Sequence, residues 1–233
     1  MKIQVDEAHI VSSLLLAPPE PTACLVLAHG AGAGMTHAFM VAVAEGLLQR
    51  RIASLRFQFP YMEAGSRRPD RPALAQATVR AAADAARQAL SGVPLFAGGK
   101  SFGGRMASQA QAEAPMPDVL GLVLLGFPLH PAGKPSLDRA AHLTQISVPM
   151  LFLQGTRDAL AEMSLLARAA SDLGRRATVV QVEQADHSFH VPARSGRTDA
   201  EVLDALLDRT ATWMQEVVQG GAGGRRTRIG PVS

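Results

Sequence analysis

Short, mostly apolar runs alternate with longer segments of helical periodicity along almost the whole of this chain, and few folds accommodate that alternation. The apolar runs fall at 24–28, 54–59, 95–98, 120–125, 150–154 and 178–182. Most are continuous, as strands covered on both faces must be. The run Ser54-Leu55-Arg56-Phe57-Gln58-Phe59 alternates instead and reads as an edge or less buried strand. Helical stretches lie between the runs, at 38–50, 72–90, 105–114, 159–173 and 199–218. The second is alanine-rich, which favours helix. The last carries Val202, Leu206, Trp213 and Val217 on one side, a stripe widened by Leu203, Leu207 and Met214. The pattern predicts an α/β fold with a mostly parallel central sheet and helices on both faces. A chain of 233 residues needs only one such domain. That domain is expected over 1–219, followed by a flexible Gly- and Arg-rich tail over 220–233. The other irregular stretches, 60–71 and 126–147, contain no repeat, and the second is too short for a full lid domain, so the site should be open.

Composition narrows the partners. Aromatics make up only 4%, which argues against a surface that stacks on nucleic-acid bases or sugars. The formal charge is +3, and Arg225, Arg226 and Arg228 at the tail supply part of it, so a basic binding face has little support. Cys24 is the only cysteine and sits in Ala23-Cys24-Leu25-Val26-Leu27, where a buried, inert thiol is expected and no intrachain disulfide can form. The mildly apolar stretch 10–17 follows Asp6 and Glu7, where a secretory signal would carry positive charge, and Ser12-Ser13 interrupt it. No run approaches the ~20 apolar residues that span a bilayer. A cytoplasmic protein with neither nucleic-acid nor membrane partners is expected.

The chemistry concentrates at Gly99-Lys100-Ser101-Phe102-Gly103, placed between a strand and a helix and flanked by Gly98 and Gly104. This is the G-x-S-x-G elbow, in which a tight turn exposes a serine and small neighbours keep strand and helix from colliding. A phosphate-binding loop also ends in Gly-Lys-Ser, but it requires glycine five positions before Gly99, where this chain has Pro94. A serine hydroxyl is a weak nucleophile until a base takes its proton, and the base needs a third group to hold it. In this fold the order is nucleophile, acid, histidine, each on a loop after a later strand. Asp158 follows the run 150–154 and His187 follows 178–182, so both stand where that order requires. Asp158 has a rival role as the cap of a helix starting near residue 159. Asp186, adjacent to the histidine, reads as a turn residue, and His190 would need the loop to double back. His9, His37, His130 and His142 read as surface or loop residues.

His29-Gly30-Ala31-Gly32-Ala33-Gly34 follows the first run. An early loop in that place supplies a backbone N–H to an oxyanion hole, with Ala31 and Phe102 as the expected amide donors and His29 as a brace. A dinucleotide reading fails because the third glycine of G-x-G-x-x-G would fall on Met35. No metal site and no cofactor are expected.

Together these segments resemble the α/β-hydrolase superfamily. The strings Arg56-Phe57-Gln58-Phe59-Pro60-Tyr61, Gly98-Gly99-Lys100-Ser101-Phe102-Gly103-Gly104-Arg105 and Asp186-His187-Ser188-Phe189 resemble a narrower, dienelactone-hydrolase-like branch. That branch is related to testis-expressed protein thirty and to subunit three of the non-specific-lethal acetyltransferase complex. Dienelactone hydrolases use a cysteine nucleophile where this chain has Ser101, which weakens any transfer of their substrate. The resemblance implies a single-domain hydrolase with minimal or no lid, cleaving a small carboxylic ester, thioester or lactone through an acyl-serine intermediate. A noncatalytic interaction module on the same fold is the other class. Phe39, Phe102, Phe127 and Phe189 are expected apolar walls of the substrate pocket. Lys100 and Arg105, with Arg67, Arg68 and Arg71, would favour an anionic substrate if they converge.

Overall fold

The apolar runs line up in one eight-stranded sheet in the computed structural model, which describes residues 1–222. In chain order the elements are β1 (Lys2–Gln4), β2 (Ile10–Leu16), β3 (Ala23–Ala28), α1 (Ala38–Gln49), β4 (Ile52–Phe57), α2 (Pro60–Glu63), α3 (Pro72–Ala89), β5 (Leu95–Lys100), α4 (Phe102–Glu113), β6 (Val119–Leu125), β7 (Met150–Gly155), α5 (Met163–Leu173), β8 (Ala177–Val182) and α6 (Asp199–Ala222). Their spatial order is β1-β2-β4-β3-β5-β6-β7-β8. The pairs β1–β2 and β2–β4 are antiparallel and all others are parallel.

Alternate residues of each strand feed opposite apolar layers. On one face Cys24, Val26, Leu55 and Leu122 meet Ala82 and Ala86 of α3, Met106 of α4 and Leu166 of α5. On the other, Leu25, Leu27, Phe96 and Leu151 meet Val43 and Leu47 of α1 and Val202, Leu206 and Trp213 of α6. Each Val, Leu, Phe or Met side chain so removed from water contributes about 1.5–3 kcal/mol. The parallel register sets Ala28 opposite Gly99, Gly99 opposite Leu124, Leu125 opposite Leu153 and Gly155 opposite Val182. Five strands therefore end along one edge, and the loops that leave it share one rim.

Several expectations need correction. β4 is not an edge strand: it lies between β2 and β3 and is buried throughout, Ser54 and Arg56 included. Arg56 is tolerated there because its Nη1 donates to the Met35 carbonyl at 3.1 Å. β1 and β2 have no counterpart among the apolar runs, since β2 leaves Ile10 and Leu14 exposed. The helix expected at 105–114 starts at Phe102, and the stretch 159–173 becomes helical only at Met163. The segment 126–147 contains a 3-10 helix, Asp138–Gln145, and no lid. α6 continues beyond 218 to Ala222, and residues 223–233 of the expected tail lie outside the described residues. Among the described residues no helix is long and apolar enough to cross a membrane.

Candidate active site

β5 ends at Lys100 and α4 begins at Phe102, so Ser101 alone must turn the chain. It does so at φ 50°, ψ −112°, a region that costs a residue with a side chain about 1–3 kcal/mol. Surrounding glycines make the turn possible by close approach. A Cβ on Gly98 would run into the Val123 carbonyl, and one on Gly99 into the Ala28 carbonyl. On Gly103 it would stand 2.5 Å from the Ala28 and His29 oxygens, and on Gly104 2.7 Å from the Gly99 oxygen.

The rim brings the three expected side chains together. His187 Nε2 lies 2.9 Å from Ser101 Oγ, and His187 Nδ1 lies 2.7 Å from Asp158 Oδ2. The pattern fits an Nδ1–H that donates to the carboxylate and an Nε2 that accepts from the serine hydroxyl. Asp158 has no side-chain exposure. Its Oδ2 also accepts from Gln154 Nε2 at 2.5 Å, and its Oδ1 accepts from the Leu160 amide at 2.8 Å. It caps a turn and not a helix, because α5 opens only after Glu162. Asp186 points into its own turn, with Oδ1 accepting from the Ser188 and His190 amides at 2.7 and 3.0 Å. His190 is exposed and pairs with Asp199 at 2.8 Å.

The loop after β3 is held from β4 and the turn beyond it. Gln58 Oε1 accepts from the Met35 amide at 2.9 Å, and the Phe59 amide donates to His29 Nε2 at 3.1 Å. The Tyr61 hydroxyl donates to the carbonyls of Ala31 and Gly30 at 2.9 and 3.4 Å. Burial pulls the His29 pKa down, which suits an imidazole that accepts at Nε2 and donates from Nδ1 to the Gly30 carbonyl at 2.7 Å. Burial, with the Asp70 charge adding to it, pushes Tyr61 up to about 12, so its hydroxyl keeps its proton. These braces fix the peptides at 30–31 beside Ser101. Phe102, as the first residue of α4, has an N–H with no intrahelical acceptor.

The alpha/beta hydrolase domain family matches residues 21–215. The chain belongs to that family. Solved structures agree on the fold. A dienelactone hydrolase from Anabaena variabilis superposes with a TM-score of 0.75 at 22% identity, over 93% of this chain and 95% of that one. An alpha-beta serine hydrolase homologue from Coxiella burnetii gives 0.73 at 20%, over 90% and 95%. A protein from Xanthomonas campestris described as an α/β serine hydrolase without lid gives 0.67 at 18%, over 94% and 92%.

In this α/β hydrolase a cleft of about 360 Å³ opens between Ser101, His187, Phe39, Met40 and the loop at Ala31–Ala33. Phe39 lines it. Phe189 does not: it is 3% exposed and stacks behind Phe39 at 6.1 Å. Phe127 is fully buried against Phe152, and Phe102 packs edge-on to Phe59, so both rings belong to the core. The expected cations do not converge. Arg105 turns from the cleft toward Arg139 and His142; burial and the Arg139 charge lower its pKa, and its Nε is buried without a partner. Arg67 lines a second hollow of about 480 Å³ that shares Ala31 and Gly32 with the cleft, while Arg68 and Arg71 are exposed outside both. Lys100 borders the cleft, but its Nζ donates to the His187 carbonyl at 2.6 Å. His130 lies in a loop, as read, but is 2% exposed and accepts from the Glu162 amide, and His142 is half-buried with its ring against Ser108 Oγ at 2.8 Å. Among the described residues no group of three or more His, Cys, Asp or Glu is placed to hold a metal ion.

Tyr61 is the site residue that sequence reasoning did not single out, and Lys100 was read as a substrate-binding cation, whereas its ammonium meets the His187 carbonyl. Each donates to a backbone carbonyl of a distant loop. The only trace of the Tyr61 contact was its membership of the family-like string Arg56 to Tyr61.

Proposed function

We propose that this protein is a serine hydrolase that cleaves a small carboxylic ester, thioester or lactone through an acyl-serine intermediate. The observation that carries the reading is the unbroken chain Ser101 Oγ–His187 Nε2 and His187 Nδ1–Asp158 Oδ2, at 2.9 and 2.7 Å. Ser101 attacks the carbonyl carbon while His187 takes its proton, and Asp158 stabilises the imidazolium that forms. The amides of Ala31 and Phe102 hold the tetrahedral oxyanion. His187 then returns the proton to the departing oxygen or sulfur, leaving an acyl-Ser101 ester. Water, deprotonated by the same histidine, hydrolyses it. Ala31 and Gly32 line both the apolar cleft and the more polar hollow at Ser66 and Arg67, which suits acyl and leaving groups in adjoining spaces.

The names of the solved relatives, a dienelactone hydrolase and serine hydrolases, point the same way. The narrower kinship with the branch of testis-expressed protein thirty rests on the strings at Arg56 to Tyr61, Gly98 to Arg105 and Asp186 to Phe189. A cytoplasmic location and a small-molecule acyl substrate, with no nucleic-acid or membrane partner, complete the proposal. The deciding experiment is reaction with a fluorophosphonate probe followed by peptide mapping. Labelling at Ser101, lost in Ser101→Ala, supports an activated nucleophile. A wild-type protein that stays unlabelled and leaves a panel of esters, thioesters and lactones intact is a noncatalytic module.

A further inference from the structure

We propose that Lys100 is a positioning residue, tying the backbone of the general base to the residue beside the nucleophile so that Ser101 and His187 keep their register. This inference rests on the hydrolase reading of the same site and adds a residue to it.

Lys100 is the last residue of β5, covalently joined to Ser101. Its side chain crosses to the loop after β8 and ends 2.6 Å from the His187 carbonyl oxygen. On the way it lies over the Phe189 ring, with Nζ 5.6 Å from the centroid. Three residues therefore close a ring: the peptide bond from Ser101 to Lys100, the hydrogen bond from Lys100 to His187, and the imidazole back to Ser101 Oγ. The loop needs such an anchor. Gln184 and Phe189 on either side of His187 both have positive φ, 61° and 65°, a conformation that residues with side chains hold only under constraint.

The alternative, a lysine that serves folding alone, fits the site poorly. A half-buried ammonium without a contacting carboxylate is costly unless it is hydrogen-bonded. Among the described residues Lys100 has no ion pair, and its bond goes to the carbonyl of the base itself. Gly126 keeps room for it, since a Cβ there would stand 2.9 Å from Nζ. The charged groups acting on it are Asp158 from the loop after β7 and Asp186 from the loop after β8. The His187 ring lies beside it, His37 stands elsewhere around the same cleft, and the loops after β3 and β6 offer only Gly30 and Gly126. Burial lowers the Lys100 pKa to about 8 against the pull of the two aspartates. The bond is thus charge-assisted below that pH and weaker above it.

The test uses Lys100→Met, which keeps the stem and removes the donor, in the full-length protein. Turnover of p-nitrophenyl acetate is measured from pH 6 to 10, with Tm and the downfield proton NMR signal of His187 Nδ1–H. The expected result is a kcat lower by roughly 10- to 100-fold with KM changed less than about threefold. The decline of wild-type kcat above pH 8 should vanish, the Nδ1–H signal should broaden, and Tm should move by only a few degrees. A folded Lys100→Met with wild-type kcat, pH profile and Nδ1–H signal overturns the proposal. If the variant does not fold, the wild type decides: the ¹³Cε signal of Lys100 and the ring signals of His187 should shift together near pH 8, and independent titration overturns the coupling. A wild type without turnover refutes the hydrolase reading instead, and the NMR arms still judge the tie.

Discussion

His187 Nε2 approaches Ser101 Oγ to 2.9 Å across a sequence separation of 86 residues. Three separate supports meet in that distance: the elbow that lifts Ser101 off β5, the Asp158 carboxylate under the imidazole, and the Lys100 ammonium on the carbonyl behind it. The carboxylate and the ammonium can each be removed by a single substitution without touching the other, so the site lends itself to dissection.

Ser101→Ala and His187→Ala should each abolish ester hydrolysis while leaving circular dichroism and Tm close to wild type. Asp158→Asn should lower kcat by about 10⁴-fold, because the amide supports the wrong imidazole tautomer. Asp186→Asn should stay within about tenfold, since that side chain accepts only from the Ser188 and His190 amides. Kinetics of the four purified variants decide it. A dead Asp186→Asn beside an active Asp158→Asn would reverse the assignment.

Tyr61→Phe removes the hydroxyl that fixes the Ala31 and Gly30 carbonyls and leaves the ring in place. Loss of one buried hydrogen bond costs about 1 kcal/mol of stability, or roughly 2–4 °C in Tm for a chain of this size. The catalytic effect should exceed that. Loosening an oxyanion donor should reduce kcat by about tenfold with KM little changed, somewhat less than deleting the donor outright. Steady-state kinetics with a thermal melt separate the two; an unchanged kcat would show that the loop holds its peptide without help.

The cleft at Ser101 is small, with Phe39 and Met40 as its apolar walls and no lid to close over it. A long acyl chain would lie in water, each wet CH₂ forgoing ~0.8 kcal/mol of transfer energy. Among p-nitrophenyl esters kcat/KM should peak at acetate to butyrate. A steady climb to octanoate or longer would mean that a second apolar surface takes the chain.

Acid should weaken this protein through His142. Burial, assisted by the Arg105 charge, holds its pKa at about 4 in the folded chain against 6.5 for the free side chain. Between those values the unfolded chain takes up a proton that the folded one refuses. That stability is whole above pH 6.5 and drains away as pH falls toward 4. His142→Gln, which can still bond to Ser108, should flatten the urea midpoint over this window. Parallel curves for variant and wild type would place the acid sensitivity elsewhere.

The sheet and the meeting of Ser101, His187 and Asp158 were legible because each leaves a local mark. Continuous apolar runs report strands with two covered faces, and nucleophile, acid and histidine follow the strands in a fixed order. β4 misled because Arg56, a buried cation that donates from Nη1 to the Met35 carbonyl, breaks the apolar run of a fully interior strand. Phe127 read as a pocket wall because a loop after a strand end usually faces ligand, yet its ring turns inward onto Phe152. Lys100 and Arg105 looked alike as cations near the serine. Only tertiary packing separates them, sending one to the His187 carbonyl and the other toward Arg139. The Tyr61 brace was hidden for a related reason: a hydroxyl that meets a carbonyl 30 residues away leaves no periodicity to read.

The glycines around the elbow make the site an uneven mutational target. At Gly98, Gly99, Gly103 and Gly104 even alanine would press a methyl into a backbone oxygen, so every codon change there is a packing lesion before it is a chemical one. Ser101 itself is different, because exchanging its hydroxyl for a thiol alters one atom that faces the cleft and leaves the backbone alone. A lineage built on this elbow is therefore free to trade the chemistry of its nucleophile while the turn that presents it stays frozen. A variant library scored for folding should show the same split, with tolerance at the Ser101 hydroxyl and none at the glycine hydrogens around it.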